Sequence, residues 1–180
     1  MRGRDLTSGR SRTTFIECNP VYDKIYEADE FFRNKRKMGQ VIIVDSGWPR
    51  SLMGRKEYDT LKEKFKMKYL KLGTKEQFKF GPSRIYDADF KVLLYLRIGD
   101  EILEAKFFVI DGDIPILLGN DVLEPFDANI KIGKKKLEFG KLKQEVNLIR
   151  TPGGHYVIPV EALIDAVSYT HLTLPTKRIV

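Results

Sequence analysis

The residues best suited to chemistry stand at positions 45–47, Asp45-Ser46-Gly47, directly after the apolar run Val41 to Val44. A carboxylate at the end of a buried strand is desolvated unless its neighbours hydrogen-bond it. Ser46 supplies a hydroxyl next door, and Gly47 lets the backbone turn tightly and bring N–H groups toward the carboxylate. Such a loop presents a carboxyl group in a partly dry place. One carboxyl does little. Two facing each other cannot both ionise cheaply, so they share a proton; one then acts as general base on a water and the other as general acid. The chain holds no second Asp-Ser/Thr-Gly, since Asp87-Ala88 and Asp111-Gly112 lack the pattern. The second carboxyl would have to come from another copy, as a two-fold dimer supplies by symmetry.

The elements that must position this loop follow from the apolar pattern. Residues 40–45 read as a strand buried on both faces. Residues 55–65 have helical character, with Tyr58, Leu61 and Phe65 on one face. From Met67 the period falls to about two, and the stretch 81–84, Gly-Pro-Ser-Arg, is a turn signal. Residues 92–112 give two strands joined at Gly99-Asp100. Ile116 to Leu118 form a further apolar strand, broken by Gly119, after which Asn120 or Asp121 is expected to cap a short helix carrying Val122 and Leu123. Residues 128–140 read as a hairpin turning at Gly133-Lys134. No repeat is evident beyond the strand–turn rhythm. Many short strands with frequent turns indicate an all-β barrel or sandwich with one or two short helices. A short helix is also expected over about residues 27–37.

Composition bounds the rest. The 180 residues suit one domain plus tails, and 42% hydrophobic residues suffice for a core. Residues 1–14 are basic, polar and read as disordered, without the apolar segment of a secretory signal. No apolar run is long enough to span a membrane. The single cysteine, Cys18, excludes an internal disulfide framework and favours a reducing, cytoplasmic setting. The net charge of +7 comes from scattered lysines, which favours a solvated face over a nucleic-acid footprint. His155 and His171 are too far apart, and too few with Cys18, to make a zinc site, and no cofactor is expected. There is no Gly-x-Ser-x-Gly elbow and no phosphate-cradling loop. Phe78, Phe80, Tyr95, Phe107 and Phe108 could make an aromatic face for single-stranded nucleic acid, but core packing of alternating strands accounts for them better.

Taken in order, "VIIVDSG", "SLMG", "FKFGPSRIY" and "GDIPILLGNDVLEPFDANIKIGKKKLEFG" resemble the retropepsin-like aspartic proteases, most closely those of retrotransposon polyproteins. The second apolar strand ends in glycine 74 positions after the carboxylate (119 − 45). The resemblance covers about residues 38–160 and implies a closed acid-protease-type β-barrel. It divides the chain into a basic N-terminal segment (1–37), the protease domain (38–145) and a C-terminal extension (146–166). Residues 167–180 resemble translated cloning-adaptor sequence, so the natural chain is expected to continue past about Ala166.

The resemblance implies a role for each matching residue. Asp45 would be the catalytic carboxylate, Ser46 would hold the interlocked loops of a homodimer, and Gly47 would bring backbone N–H groups near the reacting atoms. Gly119 would pack under the catalytic loop, and Asn120 and Asp121 would open the helix. The segment from Phe78 to Tyr86, with Phe80 and Gly81 at its tip, would close over an extended peptide as an added strand. Leu52, Ile85 and Ile116 would wall the side-chain pockets. Peptide hydrolysis would proceed without a covalent intermediate, with an acidic to near-neutral optimum set by the shared proton. The family has a small residue or cysteine after Asp-Ser-Gly, whereas this chain has Trp48. That residue would either fill part of the substrate groove or turn away into the core. The sequence therefore leaves two alternatives beside the active protease: an inactive binding or dimerisation module of the same fold, and a basic β-barrel that binds nucleic acid.

Overall fold

The computed structural model describes residues 39–65, 71–80, 82 and 84–164. The expected helix near 27–37, Cys18, Gly81, His171 and both tails lie outside them.

Val41 to Val44 form β1 (Val41–Val44), and all four are buried. Successive side chains alternate across a strand, so Ile42 and Val44 join the larger apolar cluster while Val41 and Ile43 join a smaller one on the other face. Such two-sided burial is why the run is continuously apolar. β1 pairs antiparallel with β12 (Tyr156–Pro159) and parallel with β7 (Ile116–Leu118), in the register Ile42↔Ile116, Ile43↔Leu117, Val44↔Leu118. β2 (Leu52–Gly54) crosses β7 at Leu52↔Leu117 and runs parallel to β6 (Glu101–Ile110). β5 (Ile85–Ile98) and β6 make a long hairpin whose turn is Gly99-Asp100, with Gly99 in the left-handed region at φ +60°. β3 (Lys71–Leu72) and β4 (Gln77–Lys79) both pair with β5, and β11 (Ile149–Arg150) pairs with β12.

The chain is thus mostly β with a few short helices. The nine-stranded sheet runs β11-β12-β1-β7-β2-β6-β5-β3, with β4 on the side of β5. Among the described residues no pairing joins its two ends, β11 and β3, so the closed barrel expected from sequence is not formed by this ladder. Both end strands are only two residues long and offer little edge to pair. Residues 146–166, read from sequence as an extension, carry the end of β10 (Gln144–Asn147), then β11 and β12, and so supply the strand next to β1.

Among the described residues three α-helices punctuate the strands. α1 (Arg55–Phe65) buries Tyr58, Leu61 and Phe65, the face expected from their spacing, together with Glu57. Gln40, just before β1, donates to both the backbone O and the carboxylate of Glu57 at 2.9 Å, tying α1 to the strand. α2 (Asn120–Leu123) and α3 (Val160–Leu163) are single turns. The aromatic face considered for nucleic acid is largely core: Phe78, Phe107 and Phe108 are buried, and Phe80 and Tyr95 are half-buried against the two clusters.

A repeat invisible in the residue types appears in the backbone. One-turn 3-10 helices recur at Glu124–Phe126, Ile132–Lys134 and Gly140–Leu142. Each closes on a left-handed residue, Asp127, Lys135 and Lys143, with φ of 51°, 51° and 54°. Each then enters a four-residue strand: β8 (Ala128–Lys131), β9 (Lys136–Phe139) and β10. The three strands form a separate antiparallel sheet with an eight-residue period.

Candidate active site

Asp45 stands one residue past β1, where Gly119 stands one residue past β7. The parallel β1–β7 pairing therefore brings the Asp-Ser-Gly loop against the Gly119-Asn120-Asp121 turn. Asp45 N donates to Leu118 O (3.0 Å), Asn120 N to Trp48 O (2.9 Å) and Asp121 N to Pro49 O (3.2 Å). The Asn120 amide donates to Ser46 O at 2.9 Å. Asp121 Oδ1 accepts from both Ser51 N (2.8 Å) and Ser51 Oγ (2.7 Å), and that hydroxyl accepts from Gly119 N at 3.0 Å.

Asn120 and Asp121 thus do not cap the helix with their side chains, as the sequence suggested. Gly119 is the N-cap, in extended backbone and with no side-chain cap bond, and the two polar side chains are spent on the 46–51 loop. No Cβ fits at Gly119: it would lie 2.7 Å from Arg50 C and O and 2.9 Å from Trp48 O. These are backbone atoms of the loop itself.

Within this frame the Asp45 carboxylate is half-exposed, and its one bond among the described residues is from Gly47 N to Oδ1 at 3.0 Å. Ser46 and Gly47 are exposed. The scaffold is built from Ser51, Asn120 and Asp121, which leaves the carboxylate available for a water or a ligand.

Of the two outcomes the sequence left open for Trp48, the structure shows packing against the core. Trp48 is half-buried against the smaller apolar cluster, and its ring stacks on Phe80 with centroids 4.8 Å apart and planes 12° from parallel. Phe80 follows β4 in the β4–β5 hairpin and meets Tyr86 edge-on at 5.7 Å. Phe80, just past β4, therefore rests on the Asp45 loop through Trp48. Leu52 is fully buried in the same cluster as Trp48 and Phe80. Ile116 is fully buried in the other cluster, across the sheet, and Ile85 is 58% exposed. The structure brings Asp45, Trp48, Leu52 and Phe80 to one region and does not bring Ile116 into it. The Ser51–Asp121 pair was missed as a site feature; a buried serine six residues after the carboxylate has no signal in one sequence.

A surface hollow of about 680 Å³ lies between α1 and the 111–113 turn and is lined by both signs of charge, among them Arg55, Asp59, Glu63, Asp111 and Asp113. Another of about 380 Å³ is lined by Arg50, Lys91, Phe108 and Asp121. Asp45 lines neither. Among the described residues no group of three or more His, Cys, Asp or Glu is placed to hold a metal, and no helix is long and apolar enough to cross a membrane.

Fold and site together define a mostly β chain with a carboxylate-bearing loop that follows β1 and is pinned to the turn after its parallel neighbour β7. Among solved structures the chain is similar to the retroviral protease-like domain of Ddi1 from Leishmania major. The identity is 16%, the match covers 54% of this chain and 76% of that one, and the TM-score is 0.40. No family model and no curated protein matches the chain. At that TM-score the residues of the site, and not the likeness, must carry a functional reading.

Proposed function

We propose that this chain carries a retropepsin-like aspartic endopeptidase domain, derived from a retrotransposon polyprotein and active as a homodimer in the cytoplasm. The observation that supports it most is the contrast inside one loop. Ser51, Asn120 and Asp121 are tied into the scaffold, while among the described residues the Asp45 carboxylate takes a single bond from Gly47 and is left half-exposed.

In this reading two copies pair and their Asp45 carboxyls share one proton. The ionised copy removes a proton from a bound water, and the water oxygen attacks the scissile carbonyl carbon. The protonated copy gives its proton to the carbonyl oxygen. Collapse of the tetrahedral diol breaks the C–N bond: the departing nitrogen takes a proton from the protonated carboxyl while a diol hydroxyl gives its proton to the other carboxylate, which restores the shared proton. The shared proton implies an acidic to near-neutral optimum. The β4–β5 hairpin would lie along the extended substrate as an added strand.

A second reading has its own observation. The Trp48–Phe80 stack closes the hairpin onto the loop, as suits an inactive module kept for binding or dimerisation. A peptidase assay on the full chain near pH 5, against a denatured protein, separates the two. Pepstatin-sensitive cleavage by a species that sizes as a dimer supports the protease. Absence of cleavage by a dimer favours the inactive module, and a monomer without cleavage removes the protease and dimerisation readings and leaves a binding role alone.

A further inference from the structure

The indole Nε1 of Trp48 is buried and has no hydrogen-bond partner among the described residues. Buried donors are nearly always paired, so an orphan three residues from the candidate catalytic carboxylate calls for an explanation. The ring that carries it is covered by Phe80, nearly parallel and at stacking distance. Phe80 comes from the hairpin that would have to lift for a peptide to enter. It is held from behind by Tyr86, whose ring meets Phe80 edge-on and lies under the Arg84 guanidinium at 4.7 Å. Trp48 is thus an aromatic platform with a flat face, an unused donor at its edge and a ring of the same chain on top.

Resting on the protease reading, we propose that Phe80 is a self-ligand. It occupies a site on Trp48 built for an aromatic side chain of an extended peptide, and substrate enters by exchanging its own ring for Phe80. Exchange keeps the stacking that would otherwise be lost on opening. An extended peptide also brings a backbone carbonyl beside the incoming ring that can accept from Trp48 Nε1, a bond that no described group makes with Phe80 in place. An aliphatic side chain fills the volume without the stack. The platform therefore selects aromatic peptides and delays entry of all others.

Trp48 is the only tryptophan in the chain, so its emission reports this site alone. The test uses the full chain carrying Asp45→Asn, so that no peptide is consumed. The probes are two blocked alanine-based pentapeptides, one with a central phenylalanine and one with a central leucine. In the free protein Phe80→Ala should make Trp48 more accessible to acrylamide. It should tighten binding of both peptides about three- to tenfold, since each must displace the same ring, and the phenylalanine peptide should bind tighter than the leucine peptide both before and after the substitution. Phe80→Leu, which keeps the apolar bulk, should give the same order of preference and serves if the alanine variant does not fold. Unchanged quenching in both variants, or equal affinities for the two peptides, overturns the inference. The protease reading fails separately: it falls if wild-type chain cuts nothing, while the peptide preference is read without any cleavage.

Discussion

Ser51 and Asp121, 70 positions apart in sequence, meet on one oxygen: Asp121 Oδ1 accepts both the backbone N–H and the hydroxyl of Ser51, at 2.8 and 2.7 Å. Ser51 is fully buried, and its hydroxyl also accepts from Gly119 N. The pair welds the two halves of the loop cluster under Asp45. Asp121→Ala leaves two buried donors unsatisfied and should cost about 2–4 kcal/mol in urea unfolding. Asp121→Asn keeps an oxygen in place and should cost less than half as much. Equal losses for the two variants would show that the charge and not the geometry holds the loop.

Asp45→Asn should abolish peptide hydrolysis, lowering the rate by at least about 10²-fold, with little change in the unfolding midpoint. The carboxylate's one bond comes from Gly47 N, and an amide oxygen accepts it as well. A variant that cuts like wild type would end the assignment of Asp45 as catalytic.

Gly119→Ala should destabilise by about 1–3 kcal/mol, the usual cost of overpacking, and should lower activity further than stability alone explains. Its Cβ would press on Arg50 and Trp48 backbone atoms, which can give way only by moving the loop that carries Asp45. Denaturant titration and peptidase rate, measured on the same preparation, check both parts.

Lys135→Gly and Lys143→Gly should each stabilise by a few tenths to about 1 kcal/mol. Both lysines sit at left-handed φ, where an L side chain costs about 1–2 kcal/mol and glycine does not, less the glycine's greater entropy loss on folding. Asp127→Gly should gain less, because aspartate tolerates that conformation. The ordering of the three midpoints in urea is the readout.

Lys64 hydrogen-bonds the Glu161 carboxylate and holds it below the usual glutamate range, linking α1 to α3. A carboxyl lowered on folding contributes stability above its unfolded value, about 4.3, and loses it as pH falls through the lowered folded value. Both side chains are close to half exposed, so the effect should stay under about 1 kcal/mol. Between pH 7 and pH 3, Glu161→Gln should lose less stability than wild type by that amount.

Much of the frame around Asp45 was readable from sequence because it rests on local rules. The continuous apolar run of β1, the three–four spacing of Tyr58, Leu61 and Phe65 in α1, and the Gly99-Asp100 turn each signal their own structure. What sequence could not give was long-range. The tie between Asn120 and Ser46 and the stack of Trp48 on Phe80 depend on which loops the sheet brings together. A residue's type alone also left Asn120 and Asp121 looking like helix caps when they are spent across the sheet. The three-stranded meander stayed hidden for another reason. Its core-facing residues are Ala128 and Ile130, then Leu137 and Phe139, then Gln144 and Val146. The inward positions shift by one between successive units, so the apolar pattern clashes at eight residues even though the backbone repeats there.

That shift limits how this part of the molecule can change length. Each unit reverses the chain direction and flips which positions face the core. Losing or duplicating one unit would send the following chain back the wrong way, turn its apolar residues to solvent, and carry β12 away from β1. Length changes here should be tolerated in pairs of units, sixteen residues at a time, whereas a single-unit change would unseat the strand beside the one that leads into Asp45.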